Sequence, residues 1–182
     1  MRYIPVLLIL AAAVASADDP AYVLDFPGIA FGWLPTELDP PVEGTLTEEA
    51  GAVASSPTTQ GTEYHISYRI ENPGTGSAGA WLEERIQSVI PPDMPGIMRL
   101  GDTTWDQGSS RSPHWENASV GLVVEVNFNF ITESGNVLAN GRAVGLFVGD
   151  YSILVYGISP LGVSPGAPQV VDEIVAQAYL AG

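Results

Sequence analysis

The sequence predicts an α+β fold, an antiparallel sheet of about five to seven strands with a mid-chain helix and a C-terminal helix packed on it. Residues 63–71 alternate apolar and polar side chains, and residues 119–159 hold three β-type runs joined by tight turns. Two apolar stripes of helical period lie between and after these strands. Strands that come in runs, with helices between and after them, are typical of folds whose helices pack on an antiparallel sheet.

Residues 1–17 have the layout of a cleaved secretory signal peptide. Arg2 supplies a positive charge, an apolar stretch follows, and "ASA" ends the segment. Small residues stand where a signal peptidase reads, and the apolar run is shorter than the about 20 residues that span a bilayer. We therefore expect cleavage after Ala17, which leaves residues 18–182 as a single secreted or periplasmic α+β domain without a transmembrane segment.

The composition excludes several classes of protein. The chain has no cysteine, which excludes disulfides, a lipid-modified cysteine and thiol chemistry. Its net charge is −15, it has no lysine, and its arginines are scattered along the sequence. A strongly acidic chain without a basic stripe lacks the attraction that drives binding to nucleic acid or anionic lipid. The acidity fits either a saline habitat or a genome that disfavours lysine.

The first half of the chain contains one clear strand and one clear helix. Before them, "PGIAFGWLP" predicts a strand and "GTLTEEAGAVASS" a weaker hairpin. In "EYHISYRIE" every second residue from Tyr64 is apolar, which is the period of a strand. In "AWLEERIQSVI" the apolar residues Leu82, Ile86, Val89 and Ile90 have helical spacing, and two prolines stop the helix.

The second half predicts a meander and a final helix. Residues 91–113 are rich in Gly, Pro, Ser and Asp and indicate a long loop, with a short strand near Ile97–Leu100. Three strands then follow, joined by "SGN" and "GD" turns, with a bulge expected at Asn140-Gly141. The last segment, "SPGAPQVVDEIVAQAYLAG", predicts a helix that starts near Ser164 or Ala167. Its apolar stripe is Val171, Ile174, Val175 and Ala178.

This order of elements resembles the PsbP-like family of small secreted or lipid-anchored α+β domains. The similar segments are "GIAFGWLP", "EYHISYRI", "AWLEERIQSVI" and the ending "NGRAVGLFVGDYSILVYGISP…APQVVDEIVAQAYL". The resemblance covers most of residues 18–182 and implies a non-catalytic domain that binds or helps assemble envelope or membrane proteins. The chain lacks both the lysine-rich surface by which the plant protein docks to a photosystem and the anchoring cysteine of many bacterial relatives. No functional residue and no photosynthetic role is therefore carried over.

A catalytic interpretation centres on "RSPHWENAS". It offers His114 and Glu116, with Ser110 and Ser112 nearby as nucleophiles. A Ser-His-acid site needs a nucleophile on a strained turn and a base within hydrogen-bond reach. The stretch around His114 contains no GxSxG motif of the kind that presents a nucleophile on a strained turn. A turn that leads into the meander, with Trp115 covering the core, is the favoured interpretation.

Metal binding is not expected. No HxxxH, HExxH or DxDxDG spacing occurs, and His65 is expected to be a surface residue on the polar side of its strand. The loop "GDTTWDQG" holds Asp102 and Asp106, which could bind calcium weakly, although a solvated acidic loop is favoured. No cofactor is expected either.

A carbohydrate site would use the two tryptophans of the long loop. Trp105 and Trp115 stand near the polar residues Asp102, Asp106, His114 and Glu116. Exposed rings can stack on a sugar while carboxylates bind its hydroxyl groups. Tryptophans in long loops also commonly fold back over a sheet edge, and that interpretation is favoured for both.

A polar sheet face is the last candidate. If the two best-patterned strands are neighbours, its members are Glu125, Asn127, Asn129, His65, Ser67 and Arg69. Such a face is either the wet side of an antiparallel sheet or, under curved loops, a ligand groove.

Taken together, the residues favour a secreted or periplasmic, non-catalytic binding or accessory domain that engages an envelope or extracellular protein. The alternative is a small-molecule or carbohydrate-binding module that uses the loop tryptophans. A hydrolase that uses His114 is the least favoured of the three.

Overall fold

A computed structural model of the chain describes residues 22–26, 28–33, 42–43, 53–58, 61–90, 92–107 and 120–179. The predicted signal peptide lies outside these residues. The described elements, in chain order, are β1 (Tyr22–Phe26), β2 (Ile29–Trp33), β3 (Val42–Glu43), β4 (Val53–Pro57), β5 (Glu63–Arg69), α1 (Ala78–Val89), β6 (Ile97–Leu100), β7 (Thr104–Gln107), β8 (Val120–Ile131), β9 (Val137–Val148), β10 (Tyr151–Pro160), α2 (Ala167–Ala176) and β11 (Ala178–Tyr179).

The predicted α+β class is confirmed. The larger sheet has the order β3-β4-β5-β10-β9-β8-β6, with β7 also paired to β8, and all its pairings are antiparallel. Eight strands of this sheet lie in the described ranges, more than the predicted five to seven. The reason is the length of β8, whose first half pairs with β7 and whose second half pairs with β6.

The elements with the clearest patterns form where the sequence places them. Helix α1 ends at Val89 because Ile90 is extended, as a residue before proline must be. The meander is β8, β9 and β10, joined by a loop in which Gly135 has φ 87° and by a tight turn at Gly149 with φ 56°. Strand β6 was predicted, whereas β1, β3, β7 and β11 were not. The prediction that Ala178 belongs to the final helix is wrong, because α2 ends at Ala176 and Ala178 pairs with Phe31 in β11. Strand β7 lies inside the segment whose Gly and Asp content indicates a loop.

Both faces of the larger sheet are covered, one by each helix. On the α1 face, Leu82 and Ile86 are fully buried against side chains of β8, β9 and β10 such as Val126, Phe147 and Leu154. On the α2 face, the buried stripe of α2 packs on inward residues of β5, β8, β9 and β10. The sequence pattern of β9 and β10 fits this arrangement, because strands buried on both faces are apolar without strict alternation.

A smaller sheet completes the α2 face. Its order is β1-β2-β11, and Leu24, Phe26, Ile29 and Phe31 are buried in the same cluster as α2. Strand β11 follows α2 directly and pairs with β2, so the C-terminal helix is held at its end as well as along its side.

The expected bulge at Asn140-Gly141 is wrong. Asn140 pairs with Asn129 and Gly141 with Phe128 in regular register, while the irregularities of this strand pair lie between Val120 and Leu122 and at Ile131. A Cβ atom on Gly141 would overlap the ring of Phe128, which is itself buried. The glycine is therefore explained by the close approach of an aromatic ring rather than by a bend in the strand.

Substitution of Gly141 by alanine is expected to lower the free energy of unfolding by about 1–3 kcal/mol, because the Phe128 ring has to move in a packed layer. Gly121→Ala is the matched control, since a Cβ there meets no atom within 4 Å. Chemical denaturation of both variants measures the difference. Equal stabilities for the two would contradict the packing of Phe128 over Gly141.

Candidate functional site

The structure describes three of the six residues that the sequence nominates for ligand binding. Asp102, Trp105 and Asp106 are exposed, in β7 and the loop before it. His114, Trp115 and Glu116 lie outside the described residues, as do the candidate nucleophiles Ser110 and Ser112.

Trp105 does not cover the sheet with its ring. Its backbone pairs with Val124 of β8, so strand β7 covers part of that sheet edge, but the side chain is 67% exposed. The favoured interpretation is therefore wrong for Trp105. The strand that carries the ring is tied down, because Thr104 donates to Glu125 at 3.2 Å and Thr103 donates to Glu83 of α1 at 2.9 Å. The result is an exposed indole on a paired edge strand. Asp102 and Asp106 are exposed in the same segment, but Asp106 follows Trp105 directly in β7, so its side chain points to the opposite face.

Three exposed apolar side chains lie together at one end of the larger sheet. Ile97 is 54% exposed, Leu138 38% and Leu161 61%. The Leu161 amide donates to the Leu138 carbonyl at 3.2 Å, and a Cβ on Gly96, next to Ile97, would lie 3.0 Å from Leu138 Cδ1. We call Ile97, Leu138 and Leu161 the end patch. It is formed by the start of β6, the start of β9 and the residue after β10, which are far apart in the sequence.

The predicted polar sheet face does not exist as one surface. On β5, the side chains of His65, Ser67 and Arg69 point to the α1 face. His65 is paired with Tyr156 and Ser67 with Leu154, and both of these β10 residues belong to the core on that face. Glu125 and the two asparagines of β8 point to the opposite face, and strands β10 and β9 lie between β5 and β8. A shared groove requires β5 and β8 to be neighbours, and they are not.

His65 is not the surface residue that the sequence suggests. It is partly buried, and its ring stacks on that of Tyr156 with centroids 4.6 Å apart and planes 15° from parallel. Burial lowers the pKa of His65, against a smaller opposite effect of Glu63. Burial also raises the pKa of Tyr156 to about 12, with Glu63 acting in the same direction and Arg85 against it. Both rings are therefore uncharged at neutral pH.

Replacing His65 by phenylalanine is expected to remove a loss of stability that the parent protein shows on mild acidification. The pKa of His65 is lower in the folded than in the unfolded chain, where it is about 6.5. Between the folded and the unfolded pKa, the unfolded chain binds more protons than the folded chain. The free energy of unfolding is therefore highest above about pH 6.5 and falls as the pH decreases. Denaturant curves at about pH 7.5 and about pH 5.5 test this. Equal losses in both proteins would show that His65 is not the responsible group.

Arg142 lies on the α2 face and joins the sheet to α2. Its Nε donates to Asp172 at 2.8 Å, its Nη2 to Glu125 at 2.7 Å and its Nη1 to Asn127 at 3.2 Å. Every nitrogen of this guanidinium has an acceptor, and the side chain is 11% exposed. The arrangement is typical of a structural clamp rather than of a ligand site, because the cation is already neutralised.

A shallow depression of about 330 Å³ lies between the loop after β5 and the β9–β10 turn. Its lining includes Asn72, Thr75, Leu122 and Phe147 together with several glycines, and it contains no charged side chain. None of the predicted site residues is part of it.

Within the described ranges, no group of three histidine, aspartate or glutamate side chains is placed to hold a metal ion. Among the same residues, no helix has the length and apolar character needed to cross a membrane.

No protein-family model matches the chain, and no curated protein is significantly similar to it.

Sequence reasoning missed two groupings on this molecule. The end patch joins three residues of unremarkable local sequence. On the α1 face, Arg69 of β5 and Arg85 of α1 come close enough for each charge to influence the other. The one sequence signal for the pair of arginines is the position of Arg85, directly before Ile86 of the apolar stripe of α1. Arg85 is 7% exposed.

Proposed function

We propose that this chain is a secreted or periplasmic, non-catalytic domain that binds a protein of the envelope or extracellular space through the end patch. The observation that carries the proposal is the grouping of Ile97, Leu138 and Leu161. Single exposed apolar residues are normal on a protein surface, whereas adjacent ones mark interaction sites. The signal-like residues 1–17 support the location, and the resemblance to PsbP-like domains supports an accessory role.

The size of the end patch suits a docking point within a larger interface. Full burial of each of its side chains stabilises a complex by about 1.5–3 kcal/mol. Three such side chains supply a central anchor, and the surrounding polar surface supplies complementarity. The strong negative charge of the chain adds repulsion against acidic partners, so a partner of neutral or basic surface is favoured.

Capture from an envelope extract with the purified protein as bait tests the proposal. We expect one stoichiometric partner, which is lost with Leu138→Glu and with Ile97→Glu because a charge cannot be buried there without cost. Ile70→Glu is the matched control, since Ile70 is 64% exposed at the opposite end of β10. A partner that binds all four proteins equally, or no partner at all, would count against the end patch.

The second candidate is carbohydrate binding, and the exposed ring of Trp105 favours it. Asp102, three residues before Trp105, is also exposed, and a carboxylate near an indole can bind sugar hydroxyls while the ring stacks on the sugar face. A bound soluble glycan is expected to shift the tryptophan fluorescence, and Trp105→Ala is expected to abolish the shift. The same substitution should change stability by less than about 0.5 kcal/mol, because the ring is exposed. A blank across a broad glycan panel would remove this candidate.

A further inference from the structure

Three polar side-chain atoms among the described residues are buried without a hydrogen-bond partner, and they belong to one cluster. They are Nε of Arg69, Nε of Arg85 and Oγ of Ser152. Arg69 and Ser152 are direct partners in the β5–β10 pairing and so lie side by side on the α1 face. Arg85 comes from α1 above them, and its pKa is lowered first by burial and then by the charge of Arg69. We call Arg69, Arg85 and Ser152 the arginine cluster.

The arginine cluster carries more positive charge than its neighbours neutralise. Glu71 is the nearest carboxylate, 3.8 Å from Nη1 of Arg69, and it also accepts a hydrogen bond from Trp81 Nε1 at 2.9 Å. Arg85 has a long contact of 3.4 Å from Nη1 to the Ser88 hydroxyl. Glu84 also acts on Arg85, but its effect is the smallest and its exposed side chain is screened by solvent. At ion-pair distance the two guanidinium groups therefore share one carboxylate, whereas Arg142, the other described buried arginine, is fully paired.

Buried donors without acceptors cost free energy and usually mark the place of a bound ion, water or ligand. All three unpartnered atoms of this cluster can donate a hydrogen bond. The group that would satisfy them is therefore an acceptor, and the excess positive charge makes it an anion. The three atoms are themselves buried, and the exposed part of the cluster is formed by the Arg69 and Glu71 side chains, which are each 39% exposed. An anion therefore enters from this side, with movement of these two side chains.

We propose that the arginine cluster binds a carboxylate group. Two arginines, one glutamate and one bound carboxylate make the site electrically neutral. A doubly charged phosphate would leave an excess negative charge on an already acidic protein. The flat carboxylate also matches the fork of a guanidinium group. The carboxylate belongs either to a small organic acid or to an acidic side chain of a partner. The site lies apart from the end patch, at the opposite end of β10, and does not depend on the protein–protein proposal.

Titration followed by NMR of the arginine Nε–Hε groups tests the proposal on the purified protein. Sodium acetate, at ionic strength matched with sodium chloride, is expected to shift the signals of Arg69 and Arg85 saturably and to leave that of Arg99 unchanged. Arg69→Gln is expected to weaken the binding by about tenfold or more, the effect of losing one hydrogen bond to a charged group. Arg99→Gln, on an exposed strand position, is the control.

Two further arms identify the source and test the class of anion. An N-acetylated glutamate amide that binds more tightly than acetate indicates a partner's side chain, and the reverse order indicates a small acid. Inorganic phosphate that binds more tightly than either carboxylate would overturn the proposal. So would equal shifts of all arginine signals, or shifts in the Arg69→Gln variant that match the parent. A thermal melt of each variant shows that it is folded, and Arg85→Lys serves as the second variant of the site.

Discussion

Truncation of Leu82 or Ile174 to alanine is expected to lower the free energy of unfolding by about 2–5 kcal/mol in each case. Leu82 of α1 is 0% exposed and Ile174 of α2 is 1% exposed, and they pack on opposite faces of the larger sheet. Each truncation removes apolar contact and leaves a cavity that the surrounding strands cannot fill. Denaturation in urea measures both effects.

The controls for this pair are Gln87→Ala and Glu173→Ala, exposed positions of the same two helices, which should change stability by less than about 0.5 kcal/mol. The comparison distinguishes a sheet that is covered by a helix on both faces from a sheet with one face exposed to solvent. A small effect at either Leu82 or Ile174 would show that its face of the sheet is not covered.

Replacing Arg142 by methionine is expected to lower the free energy of unfolding by about 2–4 kcal/mol. The substitution keeps most of the side-chain volume but removes the 2.7 Å ion pair with Glu125, whose side chain is 16% exposed. The bond to Asp172 adds little, since that side chain is 57% exposed and its charge is screened by solvent.

A second substitution distinguishes an uncompensated charge from lost packing. The double variant Arg142→Met with Glu125→Leu also removes the partly buried carboxylate and leaves only the exposed charge of Asp172 without Arg142, so we expect it to be more stable than the single variant. Asp172→Asn should cost less than about 1 kcal/mol. If the single Arg142→Met variant is as stable as the parent, the clamp between the sheet and α2 contributes nothing.

Much of the fold follows from short-range patterns. The period of two in β5 and β8, the helical stripes of α1 and α2 and the turn residues of the meander each indicate one structure, and each forms. Strand β1 was missed because "YVLDF" is only five residues long and does not alternate regularly between apolar and polar side chains. Strand β7 was missed because "TWDQ" has the composition of a loop, and it becomes a strand by pairing with the long β8.

The candidate sites could not be predicted in the same way, because they depend on the order of strands in the sheet. Arg69 and Arg85 belong to a strand and a helix, and nothing in the sequence states which sheet face the helix covers. Ile97, Leu138 and Leu161 meet because β6, β9 and β10 begin or end together. The Asn140-Gly141 pair illustrates the same limit, since a glycine in a strand fits a bulge as well as a close ring.

The central claim, protein binding through the end patch, is tested most directly by photo-crosslinking from position 138. A photoreactive phenylalanine analogue at Leu138 is expected to form one covalent adduct of constant mass with a protein of the surrounding envelope or medium. The same analogue at Ile70, also exposed but at the other end of β10, is expected to give none. An identical adduct from both positions, or no adduct from position 138, would contradict the account.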